Sequence, residues 1–169
     1  FGYEENLPEF EQDMERVKNA LLAYAWDEES GYFGYAVQGQ EGVHILRTEA
    51  GENYNKGVDG VTPLIAGICS KEQEKQLLKH LKSPEELWSP VGISTVDMSA
   101  SYYYDNGYWN GSVWCPYQYF LWKAMLDIGE GQFAFDIAHR GLNSWKQEIE
   151  FSYNTFEMIQ IETERGGWF

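Results

Sequence analysis

The chain has 169 residues, 43% of them apolar and 17% aromatic, which is enough material for one domain with a real core. Its formal net charge is −15, from 27 acidic and 12 basic residues. That acidity argues against nucleic acid and anionic membranes, whose phosphates demand basic surfaces, and is compatible with a neutral partner such as a carbohydrate.

Phe10, Met14, Val17, Leu21 and Tyr24 recur at spacings of four and three and predict a helix with one apolar stripe, started by Pro8. The acidic run Glu4, Glu5, Glu9, Glu11, Asp13 and Glu15 reads as its solvated face and lead-in. Asp27 to Gly31 breaks the helix, Tyr32 to Val37 reads as a short strand, and Val43 to Leu46 as its partner. Pro63 to Ile68 reads as a helix of small and apolar residues. Ser70, with Gln73 three residues on, predicts a capping box for a helix over 71–81 that buries Leu77, Leu78 and Leu81.

Ser83 to Tyr108 reads as one long loop, and loops of that length inside a compact domain are usually functional. Ser101–Trp122 then carries ten aromatic residues and is read as turning from loop to helix around Gly111–Val113. Rings beside small polar groups suit a sugar platform, because pyranoses stack their C–H faces on aromatics; the same composition also suits a buried core. Val113, Trp114, Tyr117, Leu121, Ala124, Met125 and Ile128 read as one helical face, ended by Gly129. Phe133, Ile137, Leu142, Trp145 and Ile149 read as a last one. The expected fold class is all-α: helical hairpins with a loop-built face and at most a short β-hairpin.

Several segments resemble glycoside hydrolase family 63 and its mannosylglycerate-hydrolase-like relatives. Trp26-Asp27-Glu28-Glu29-Ser30-Gly31-Tyr32-Phe33 is similar to the family's W-D-E-x-x-G-F/Y-Y passage. Pro63-Leu64-Ile65-Ala66-Gly67-Ile68 is similar to its P-L-x-A-G-I/L-A helix, and Gly92-Ile93-Ser94-Thr95 to its G-L/I-x-S/T loop. Tyr108-Trp109-Asn110-Gly111-Ser112-Val113-Trp114-Cys115-Pro116 resembles Y-W-R-G-P-V/I-W-P-P, and Asp127-Ile128-Gly129 follows as D-Y-G. Phe156-Glu157 resembles the F-E-x-Y passage that carries the catalytic base. The matches keep their order over almost the whole chain. Two departures stand out. Asn110 replaces the family's arginine, and Met158 to Glu164 replaces its Tyr-Asn-Pro…Thr-Gly run.

The resemblance implies an (α/α)6 toroid of twelve helices and an inverting hydrolysis of α-glucosides or α-mannosides. Twelve helices of about 12 residues need roughly 144 residues before any loop. The chain is therefore expected to be the C-terminal portion, 1–169, of a single catalytic domain. Both ends read as cut, at Phe1 and after Gly166-Gly167-Trp168-Phe169, and the compartment stays open. The match makes Glu157 the general base, with the general acid on an earlier hairpin, so the isolated chain is expected to be inactive.

Around that base, the expected substrate-binding residues are Asp59, Trp88, Gly92, Tyr108, Trp109, Asn110 and Trp114. Asp59 also fits a tight turn between glycines, Trp109 fits platform or core equally, and Trp114 fits the helix's apolar stripe. Asp97 and Asp105 could bind hydroxyls or cap the loop. His44, His80 and His139 have no metal-ligand spacing, and Cys69 and Cys115 read as small buried hydrophobes. Neither a nucleophile elbow nor a phosphate loop occurs, so neither metal nor cofactor is expected. The expected partner is a carbohydrate substrate, with no nucleic acid and no membrane. Apolar faces left open by a partial ring should also drive self-association. Two other classes fit less well: a non-catalytic carbohydrate-binding or scaffold domain, and a sugar epimerase, which would need histidines as acid and base.

Overall fold

The computed structural model describes residues 4–105 and 107–167. Phe1 and the Trp168-Phe169 end, where the sequence reads as cut, lie outside them. The chain is mostly helical. Its helices are α1 (Leu7–Tyr24), α2 (Thr62–Ile65), α3 (Lys71–Lys82), α4 (Cys115–Asp127) and α5 (Gly131–Ser152). The connections carry more pairing than the single hairpin expected. Three two-stranded pairs form: β1 (Trp26–Asp27) with β2 (Tyr32–Phe33), β3 (Ala36–Gly39) with β4 (Gly42–Ile45), and β5 (Trp88–Ser89) with β6 (Gly92–Ile93). A three-stranded sheet orders β7 (Ser112–Trp114), β8 (Met158–Gln160) and β9 (Arg165–Gly167).

The core lies where α3, α4 and α5 meet the β1–β2 hairpin. Leu77, Leu81, Leu121, Met125 and Ile137 pack there with Tyr32, Phe33 and Leu64. Helix α3 is built as its sequence predicts. Gln73 N–H donates to Ser70 Oγ at 3.2 Å, and Ser70 N–H donates to Gln73 Oε1 at 2.9 Å. These bonds satisfy amides that the first turn would otherwise leave open. Helix α1 forms too, but only Leu21 and Leu22 in its last turns reach the core. Phe10, Met14, Val17 and Tyr24 are 61%, 72%, 55% and 55% exposed. A second open apolar surface, a groove of about 520 Å³, runs between α4 and α5 past Trp122, Leu142, Trp145 and Phe156.

Four local expectations change. Val113 and Trp114 lie on strand β7, and α4 starts only at Cys115, because β7 pairs with β8 from far along the chain (Trp114 opposite Met158). The expected strand from Tyr32 to Val37 splits at Gly34 and serves two hairpins. The helix expected to run to Ile68 ends at Ile65, after a 3-10 turn over Val58–Val61. The long loop from Ser83 holds the β5–β6 hairpin, whose Ile93 exchanges bonds with Gln118 of α4.

Candidate functional site

Two loops close against each other to build the site. Gly57 bridges Val96, Val58 N–H donates to Thr95 O at 2.9 Å, and Asp97 N–H donates to Lys56 O at 2.8 Å. The approach is so close that a Cβ at Gly57 would lie 2.5 Å from Thr95 O, so only glycine fits. The result is a cavity of about 330 Å³. Tyr35, Tyr54, Tyr102, Tyr117 and Trp109 give it aromatic walls, and Lys56 and Asp59 face it with charge. Its size is at the lower end of small-ligand sites, room for about one sugar ring.

Asp59 sits in the 3-10 turn before α2, in the turn that its glycine neighbours predict. Its carboxylate is also clamped by two phenols from distant parts of the chain. Tyr35 Oη donates to Oδ2 at 3.0 Å, and Tyr117 Oη to Oδ1 at 3.4 Å. Partial burial, then the hydrogen bond and charge of Asp59, pushes Tyr35 up to about 12. Burial, followed by Asp59, also raises Tyr117. Both phenols therefore stay protonated as donors at neutral pH.

Behind the wall runs a chain of charges. Lys56 pairs with the fully buried Asp97 and, at 3.3 Å, with Glu86. Glu86 Oε2 lies 2.8 Å from His80 Nδ1, and His80 Nε2 lies 3.0 Å from Ser30 O. Both ring nitrogens thus lie within hydrogen-bond reach of an oxygen. Burial alone would lower the Lys56 pKa, but the hydrogen bond and charge of Asp97, aided by Glu86, outweigh it and raise it. Asp97 also takes the N–H and Oγ–H of Ser99 at 2.7 and 2.6 Å, so its role is loop capping and ion pairing.

Tyr108, Trp109 and Trp114 form one aromatic block beside the cavity. The two indoles stack with centroids 4.0 Å apart and planes 7° apart. Tyr108 meets both edge-on, at 5.2 and 4.7 Å. Trp114 is buried and ties the loop down by donating Nε1–H to Tyr108 O at 2.7 Å. Trp109 is 57% exposed and lines the cavity. Glu157 is exposed and stands one residue before Met158, which the sheet holds opposite Trp114. A hydrogen bond to Glu157 raises the pKa of the Tyr108 phenol. The structure thus brings Asp59, Tyr108, Trp109, Trp114 and Glu157 into one neighbourhood.

Three expected site residues sit elsewhere. Trp88 packs edge-on against Phe133 at 5.1 Å and under Arg140 at 3.7 Å, away from the cavity lining. Gly92 has φ +138° in the β5–β6 turn, where a Cβ would lie 2.7 Å from Gln118 Oε1. Asn110 turns inward and donates to Tyr102 O at 3.0 Å, bracing the loop. Asp105 is exposed and bonds to Tyr103; His44 and His139 are exposed. Tyr35, Lys56, Tyr102 and Tyr117 line the cavity without having been singled out as site residues. Tyr102 and Tyr117 belong to the aromatic stretch Ser101–Trp122, but nothing in it marks which rings face the cavity, and Tyr35 and Lys56 arrive from other loops with no mark of their own. Among the described residues, no cluster of His, Cys, Asp and Glu could hold a metal ion, and no helix is long and apolar enough to cross a membrane.

Comparison with known proteins bears on the family and the fold. The family model described as the mannosylglycerate hydrolase MGH1-like glycoside hydrolase domain matches residues 1–157. The fold superposes on a glycoside hydrolase family 63 mannosylglycerate hydrolase from Thermus thermophilus, solved with glucose, with a TM-score of 0.73 and 22% identity. That match covers 94% of this chain and 36% of the other. Neutral trehalase from Saccharomyces cerevisiae matches with a TM-score of 0.66 and 20% identity, over 93% of this chain and 28% of that one. A probable mannosyl-oligosaccharide glucosidase of Schizosaccharomyces pombe is 28% identical over 74 residues, which is 42% of this chain and 9% of that protein. The chain spans about a third or less of the length of these relatives.

Proposed function

We propose, since this chain belongs to the mannosylglycerate hydrolase MGH1-like glycoside hydrolase family, that it is the C-terminal portion of a single (α/α)6 catalytic domain. That domain hydrolyses an α-linked glucoside or mannoside with inversion. Glu157 takes a proton from water, which attacks the anomeric carbon on the face opposite the leaving group. A second carboxyl, about 6.5–9.5 Å away, protonates the departing oxygen. This acid comes from a part of the domain outside these 169 residues. The cavity lined by Trp109 and Asp59 receives a sugar ring, with Trp109 offering its face and Asp59 accepting from hydroxyls.

The observation that carries this reading is the position of Glu157. An exposed carboxylate, bonded to Tyr108, stands at the edge of the aromatic block whose Trp109 lines the cavity. A general base needs water on one side and an aimed carboxylate on the other. The test is a longer polypeptide that joins this chain to an acid-bearing helical hairpin. It should release the opposite anomer from an α-glycoside, as followed by proton NMR, and Glu157→Gln should lower kcat by about 10³. Retained kcat in that variant would remove Glu157 from the mechanism.

A further inference from the structure

The cavity's one lysine is already spoken for. Among the described lining residues Lys56 is the sole Lys or Arg and Asp59 the sole acid. Lys56 is committed to Asp97, which is fully buried, and to Glu86 at 3.3 Å. Among the described residues, Asp59 is held by two phenol donors, Tyr35 and Tyr117. One ammonium therefore answers three carboxylates. Asn110, next to Trp109, adds no cation, and its amide donates to Tyr102 O.

We infer that this cavity selects an uncharged pyranoside and rejects one bearing a carboxylate, and that the phenol-clamped Asp59 makes the distinction by accepting sugar hydroxyls. The inference rests on the reading of the cavity as a glycoside site. A carboxylate on the sugar would meet Asp59 at short range in a half-enclosed space, where like charges repel far more than in bulk water. A hydroxyl there finds a charged acceptor, the stronger kind of hydrogen bond. The two phenols spend their protons on Asp59 and leave its remaining lone pairs for the ligand.

The experiment titrates the full-length protein with methyl α-D-glucopyranoside and methyl α-D-mannopyranoside, and with their 6-carboxylate forms. Tryptophan fluorescence gives the readout, since Trp109 lines the cavity. The expected result is binding of at least one neutral glycoside, with its carboxylate at least about tenfold weaker. In Asp59→Asn the neutral sugar should lose about tenfold and the ratio should shrink toward one. Asp127→Asn, an equal charge change on the far end of α4, should leave the ratio unchanged and so separate a local effect from the net charge of −15. Carboxylates that bind as well as or better than neutral sugars overturn the inference while leaving a glycoside site standing. So does a ratio that Asp59→Asn does not move. If no sugar of either kind binds, the glycoside reading of the cavity falls and the inference with it.

Discussion

Helices α1 and α3 carry the same kind of pattern and end up in opposite situations. Both have apolar residues at helical spacing, and both form. In α3 the stripe is covered: Leu77 and Leu81 are fully buried, and a capping box closes the first turn. In α1 no residue is buried, and Asn6 at its start makes no side-chain capping bond. A periodic stripe tells that a face exists, and only the surrounding chain tells what covers it.

The contrast can be broken most sharply by truncation. Leu77→Ala should cost about 3 kcal/mol in urea unfolding, because it empties a closed site. Phe10→Ala, on an open face, should stay within about 0.5 kcal/mol. Equal costs would mean that α1 is covered in solution. Capping comes next: Ser70→Ala should cost about 1 kcal/mol and Asn6→Ala close to none. The third difference lies in association. Met14→Ser with Val17→Ser should lower the weight-average mass in sedimentation equilibrium, while a wild-type chain that stays strictly monomeric would contradict the open-face account.

The smallest effect concerns Cys69, just ahead of α3. Burial, then the charge of Glu74, pushes its thiol from the ordinary 9.0 to about 12. A pKa raised by folding gives stability that is present below 9 and lost as pH rises through 12. The urea midpoint of the wild type should therefore fall faster across that window than that of Cys69→Ala. Ellman's reagent should also find Cys69 slow at neutral pH.

How much the sequence reveals follows the distance between partners. Helix α3 is legible because Ser70, Gln73, Leu77 and Leu81 all speak within a few turns of one another. Strand β7 is not, because its partner Met158 lies far along the chain, and Val113-Trp114 beside Cys115 reads locally as a helix start. Asp59 shows its turn in the sequence but not its clamp, since Tyr35 and Tyr117 reach it only after folding. Glu157 is visible only through resemblance, because one glutamate among 27 acidic residues carries no local mark. Asn110 is legible as a substitution for the family's arginine, but not as the brace it has become.

The register of β7 against β8 fixes more than a sheet. With Trp114 opposite Met158, the strand that carries the buried indole of the stacked pair and the segment that carries Glu157 are geared together, so neither can slide without the other. The turn between β8 and β9 lies beyond that gear. Residues can be added after Gln160 without displacing Glu157, whereas a single insertion between Trp109 and Trp114 would throw the two out of phase. Variation in this protein is therefore cheap on one side of the sheet and costly on the other.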